Sequence, residues 1–235
     1  MTNNSPAPIL ITGCARSGIS LVAGAVHLCG AYGGSSIDSA PRMYENVHIR
    51  ENIVTPYLTT IGADKKGQYP LPDTLSLFIP SSWATKVKEV IAKDEYLGGP
   101  WFYKSPTSCL IWPVWHYAFP KAKWIIVRRR TGDIISSCMK TSFMDAFRRP
   151  EIRNVLGVEL GIATEQEGLL WWVHQHEERF VEMITEGLNC KVIWPHRMVD
   201  GDYQEMMETI DWLGLKWNSQ VLSFIDPKFW RARRR

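Results

Sequence analysis

The chain has 235 residues, with 27 Lys+Arg against 24 Asp+Glu for a formal net charge of +3, and 45% hydrophobic and 22% charged residues. These are globular values and exclude a disordered chain. Residues 226–235 hold five basic groups and one acid, so residues 1–225 hold 22 basic and 23 acidic groups and sum to −1, which argues against a surface coated with basic charge for nucleic acid but leaves room for a local anion site.

In chain order, Met1 to Pro8 carries no basic n-region, and Arg16 interrupts the apolar stretch that starts at Ile9, so neither a signal peptide nor a membrane span is expected. Ile9-Leu10-Ile11-Thr12 reads as a buried strand ending at Gly13, and Gly18 to Leu28 as a helix closed by Gly30. Residues 32–80 are rich in turn formers around one predicted helix, Asn46 to Leu58. Ser81 or Ser82 is placed to cap a helix to about Asp94. Trp101 to Lys104 reads as a second strand, Thr107 to Tyr117 as a helix, and Lys123 to Arg128 as the clearest strand of all, running into a helix from Thr131 to Lys140. Residues 141–163 read as a mobile loop or short helices. Thr164 and Glu167 have capping-box spacing, and the helix behind them puts Leu169, Val173, Phe180 and Ile184 on one face before Gly187. Lys191 to Trp194 is a fourth strand and Tyr203 to Leu213 a last helix. Strands alternating with helices predict an α/β fold: one domain over 1–235, with a central, mainly parallel sheet flanked by helices.

The five cysteines are scattered with no C-x-x-C pair, which predicts reduced thiols and a cytoplasmic protein. His174 and His176 are two apart on a predicted helix and point apart, and no other histidine pattern suggests a ligand set, so no metal is expected.

Gly13-Cys14-Ala15-Arg16-Ser17-Gly18-Ile19-Ser20 has the phosphate-loop spacing G-x-x-x-x-G-K-[ST], with Ile19 in place of the lysine. A strand precedes it and a helix follows. Its backbone amides and the helix N-terminus can hold an anion without a metal, and Arg16 supplies a cation from within the loop. Without the lysine that draws β- and γ-phosphates, the loop is poorly built for ATP and Mg²⁺.

This run resembles the 5'-phosphosulfate loop of sulfotransferases, in its bacterial and protein-tyrosine R-S-G-[TS]-[ST] version, with Ile19 where a Thr is usual. Trp124 to Ser137 resembles the family's 3'-phosphate motif, R-x-P-x-D-x-x-x-S. Aligning Asp133 puts Arg129 and Ser137 on the two phosphate ligands, with Thr131 in place of the proline. Alternation along the strand turns Arg128 and Arg130 away, to solvent or acid partners. Tyr103-Lys104-Ser105-Pro106 resembles the K-[DST]-P segment, where Pro106 occupies the position of the base histidine of other members. Arg42 to Ile49 resembles G-[YF]-[WF]-E, which makes Glu45 the first candidate base and Asp38 and His48 the alternates. The match extends more weakly through Leu170-Trp171-Trp172 and Phe224-Ile225-Asp226-Pro227.

The resemblance implies a sulfotransferase using 3'-phosphoadenosine 5'-phosphosulfate (PAPS), with a PAPS-binding core over 8–140 and a small-molecule or carbohydrate hydroxyl as acceptor. Arg16 and Lys104 would stabilise developing charge, and Ser17 and Ser20 would donate hydrogen bonds to the bridging phosphate. In the basic tail, 226–235, Arg231, Arg233 or Arg234 would close on the 3'-phosphate, or the tail lies in solvent. Trp83, Trp101, Trp112 and Trp115 either line an acceptor pocket or pack the core. Three other readings stay open: a phosphate-loop small-molecule kinase, a non-enzymatic nucleotide or RNA binder, and an inactive sulfotransferase scaffold.

Overall fold

A computed structural model of the chain describes residues 6–34, 43–226 and 230. Four short strands, β1 (Ile9–Gly13), β2 (Phe102–Lys104), β3 (Lys123–Val127) and β4 (Cys190–Ile193), form one sheet in the order β2-β1-β3-β4. Every pairing is parallel, so the expectation of a mainly parallel sheet sharpens to a wholly parallel one among the described strands. Such a sheet must be covered on both faces, and alternate residues of the strands feed two separate cores. Leu10, Tyr103, Trp124 and Ile126 pack beneath Trp83, Val87, Trp115 and Trp172. Ile9, Ile11, Phe102, Ile125 and Val127 pack against Val22, Val26, Met206 and Ile210. Each such side chain, fully buried, contributes roughly 1.5–3 kcal/mol.

The second core carries helix α1 (Ile19–Leu28). The chain then forms α2, which begins as Val47–Ile49 capped by the Asn46 side chain, widens to a π turn over Arg50–Val54 and ends as Thr55–Thr60. Helix α3 (Trp83–Lys93) lies in the first core. Ser82 stands at its cap position in a helical conformation and makes no side-chain cap bond, so the capping expected there does not occur. The helix expected from Thr107 divides: Pro106–Ile111 is a 3-10 segment and α4 is Trp112–Ala118. Helix α5 (Thr131–Cys138) follows β3 directly.

Residues 141–163 are not a plain loop. They hold a 3-10 turn, Ala146–Arg148, and an eleven-residue helix, α6 (Pro150–Leu160), with proline in its first turn and Gly161 left-handed at its end. Helix α7 (Glu165–Thr185) opens with the full Thr164–Glu167 capping box. Its buried face runs through Leu169, Val173, Phe180 and Met183; Ile184, expected on that face, is exposed. Two short helices not foreseen, α8 (His196–Val199) and α10 (Gln220–Phe224), flank α9 (Gln204–Leu213).

From β1 the chain passes to β2 on one side and then to β3 on the other. The crevice outside the carboxyl ends of β1 and β3 is therefore the switch point at which parallel α/β sheets place ligands.

Candidate active site

β1 ends at Gly13, which sits in register with Val127 of β3. A Cβ at Gly13 would strike the Val127 carbonyl oxygen and the Ser17 hydroxyl, so only glycine lets the loop fold back this tightly. The loop is held by the Ser17 amide donating to the Cys14 carbonyl at 3.0 Å. Arg16 (φ 72) and Gly18 (φ 97) are both left-handed, a costly conformation for the arginine. It aims the Arg16 carbonyl at Arg129, whose Nη1 donates to it at 2.9 Å. Cys14, Ala15 and Ile19 point their side chains into the two cores, so these three can meet a ligand only through the backbone. No side chain caps α1, which leaves its first amides open at the loop.

Three residues named from sequence converge here. Arg16 Nε donates to Ser137 Oγ at 3.0 Å, and Arg129 Nη1 donates to the Arg16 carbonyl. Arg129 is only 7% exposed, yet among the described residues its Nε and Nη2 find no hydrogen-bond partner. Burial above all, with the neighbouring charge of Arg16, pushes its guanidinium pKa down; Asp133 partly offsets this. The Ser17 hydroxyl is likewise buried without a partner. Unmatched buried donors are costly, and these belong to the loop that opens α1 and to the arginine bonded to that loop. Ser20 is half-buried on the first turn of α1. Arg128 and Arg130 turn elsewhere: Arg128 pairs with Glu177 at 2.5 Å and lies over Trp194, and Arg130 pairs with Asp133 at 3.5 Å.

A second cluster lies one strand over. Lys104 ends β2 opposite Ile11, and its Nζ is 3.0 Å from Glu45 Oε2. Lys104 is 3% and Glu45 8% exposed, so Glu45 is no solvated helix-start carboxylate. Arg50 Nη1, on the π turn, is 3.8 Å from Glu45 Oε1. The segment before α2 is pinned to α1 by Tyr44, which packs on His27 and Phe224 and lies where a Cβ on Gly24 would be. Tyr44 itself has φ 48. Burial, and then the Glu45 charge, push the Tyr103 phenol well upward, which removes it as a proton acceptor near neutral pH.

His48, an alternate base, instead faces Asp94 at 3.5 Å, and the other Asp94 oxygen accepts from Asn46 at 2.8 Å. Asp38, Arg42, Pro227, Arg231, Arg233 and Arg234 lie outside the described residues. Trp83, Trp101 and Trp115 are core side chains in one aromatic array, and Trp112, half-buried, donates to Glu182. Two residues escaped the sequence reading. Arg50 reaches Glu45 only because α2 widens into a π turn, a spacing that no 3.6-residue pattern signals. Trp230 lays its indole on the Arg129 guanidinium, 4.2 Å from ring centroid to Cζ, and abuts Gly18; only the tail's charge had drawn notice.

A shallow hollow of about 270 Å³ between α3 and Trp101 lies at the amino end of β2, the wrong edge of the sheet for this chemistry. Among the described residues no group of three His, Cys, Asp or Glu side chains is placed to hold a metal, and no helix is long and apolar enough to cross a membrane.

No family model matches the sequence, and no curated protein matches it. Among solved structures the chain is similar to the sulfotransferase domain from the Synechococcus PCC 7002 olefin synthase, with a TM-score of 0.50 at 17% sequence identity, covering 99% of this chain and 86% of that one. A likeness at that identity speaks to architecture: this is an α/β domain with a four-stranded, all-parallel sheet flanked by helices, and its fold is sulfotransferase-like.

Proposed function

We propose that the protein is a sulfotransferase that moves a sulfuryl group from PAPS to the hydroxyl of a small molecule or carbohydrate. The observation that carries this reading is Arg129: a buried guanidinium with two N–H groups unmatched among the described residues, bonded to the carbonyl of Arg16, whose own side chain donates to Ser137, beside an uncapped helix start. A phosphate satisfies such donors with short, charge-assisted hydrogen bonds. The loop from Gly13 to Ser20 would take the 5' end of the donor through its amides and the hydroxyls of Ser17 and Ser20. Arg129 and Ser137 would take the 3'-phosphate. The donor supplies the activated sulfuryl group; the chain's residues bind it, hold charge and move one proton.

Glu45 would accept the acceptor's hydroxyl proton as the oxygen attacks sulfur and the bond from sulfur to the bridging phosphate oxygen breaks. Arg16, Lys104 and the loop amides would offset the negative charge that develops on the sulfuryl and leaving phosphate oxygens. Ile19 supports this reading over a phosphate-loop kinase, because its side chain is core and puts no cation where ATP needs one. The near-neutral body argues against an RNA binder.

Incubation with PAPS and a panel of phenols, alkanols and glycosides, with release of adenosine 3',5'-bisphosphate as readout, tests the reaction. Acceptor-dependent release is expected in the wild type, with a loss of at least about a hundredfold in Glu45→Gln. Full activity in Glu45→Gln would remove Glu45 as the base, and Mg-ATP-dependent phosphorylation in place of sulfation would remove the function.

A further inference from the structure

We infer that Lys104 is shared between Glu45 and the sulfuryl donor, so that donor binding is the event that releases the Glu45 carboxylate to act as a base. This rests on the reading of the site given above. Lys104 stands at the carboxyl end of β2, in register with Ile11, two residues before the loop begins. Its face of the sheet is that of Ile11 and Phe102, which is the face covered by α1. Its ammonium is therefore one strand away from the loop and on the same side as the helix start that the loop feeds. Yet the ammonium is spent on Glu45 Oε2 at 3.0 Å, with both groups almost fully buried.

One cation faces two demands. While Oε2 accepts from the ammonium an acceptor hydroxyl must compete for that oxygen, and while the ammonium serves Oε2 it is drawn away from an incoming anion. Removing either partner alone would strand a buried charge, which is strongly unfavourable. Exchange avoids that cost, because the donor brings several negative charges and Lys104 passes from one anion to another without standing alone. Glu45 is not stranded either: Arg50, on the half-exposed π turn, lies 3.8 Å from the other oxygen, Oε1. The two carboxylate oxygens thus have separate work. Oε1 keeps the nearby charge of Arg50, which also bonds Glu51, and Oε2 is held by Lys104 until the donor takes the ammonium. Arg50 is a positioning residue in this scheme.

Calorimetric titration with PAPS alone, without acceptor, tests the exchange in wild type, Glu45→Gln, Lys104→Gln and the double variant. With the competing carboxylate gone, Glu45→Gln should bind PAPS about tenfold tighter than wild type, the low end of the coupling seen for close charge pairs. The tightening should vanish when Lys104 is also replaced, so that the double variant matches Lys104→Gln. Unchanged or weaker binding in Glu45→Gln overturns the inference, as does the same tightening in the absence of Lys104. A wild type that binds no PAPS overturns the underlying reading along with it, whereas PAPS binding without tightening overturns the exchange alone. Should Glu45→Gln fail to fold, crystal structures of the wild type with and without PAPS decide. Separation of Lys104 Nζ from Glu45 Oε2 beyond about 4 Å in the PAPS complex supports the exchange, and an intact pair there refutes it.

Discussion

The proposed donor side of the site hangs on the ends of two adjacent central strands, whereas the proposed acceptor side hangs on a helix start and on segments outside the sheet. Gly13 and Val127 are in register, so the loop and Arg129 are fixed relative to one another by the sheet itself. Glu45 has no such anchor; its position depends on Tyr44 packed against α1 and on two cations. On the proposed reading, binding of the shared part of the reaction would rest on the sheet, and the variable part on what can be changed without disturbing it.

The contrast can be broken most sharply at Arg129. Arg129→Ala should weaken adenosine 3',5'-bisphosphate by about 3–5 kcal/mol, through loss of buried charge-assisted bonds, while leaving adenosine 5'-monophosphate binding within about 0.5 kcal/mol; calorimetry with both ligands checks this. Equal losses for both would mean that Arg129 shapes the loop and does not take the 3' end.

The core beneath the sheet, on the face away from α1, can be probed with acid. His176 is buried in α7, its Nδ1 against the Trp172 carbonyl, and burial lowers its pKa from 6.5 to about 4. The unfolded chain therefore takes up a proton at His176 before the folded chain does. Its contribution is complete above pH 6.5 and is lost as pH falls toward 4, by about 3 kcal/mol at the acid end. Urea melts between those values should show the decline, and His176→Gln should flatten it.

A smaller effect separates the two sides directly. In Gly24→Ala the new methyl meets Phe224 and Tyr44, costing about 1–3 kcal/mol by overpacking against the roughly 1 kcal/mol that alanine gains in a helix. Tyr44 must yield, and Glu45 with it. Sulfuryl transfer should fall while bisphosphate affinity holds; parallel loss of both would show that the sides are not independent.

The same contrast governs what could be read from the sequence. The apolar strand ends and the glycine-bounded loop leave strong local marks, because a strand buried on both faces and a left-handed turn each admit few residue types. Arg16, Arg129 and Ser137, drawn from two separate stretches, lie in one chain of hydrogen bonds. Glu45 and Lys104 were each named, but not their contact, since a strand end and a distant helix start share no periodicity. Over 141–163 the choice between a mobile loop and short helices stayed open, because one buried residue in the eleven of α6 gives no amphipathic pattern. Arg50 escaped because a π turn breaks the spacing on which helix reading depends.

Selectivity among nucleotides tests the central claim most directly. Thermal unfolding is followed with adenosine 3',5'-bisphosphate, with ATP and Mg²⁺, and with adenosine 5'-monophosphate, each at equal concentration. The bisphosphate should stabilise the protein most, by about 2.7 kcal/mol at a hundred times its Kd, and Arg129→Ala should abolish that preference. Equal shifts from all three nucleotides, or a larger one from ATP with Mg²⁺, would contradict a site built for a donor phosphorylated at the 3' position.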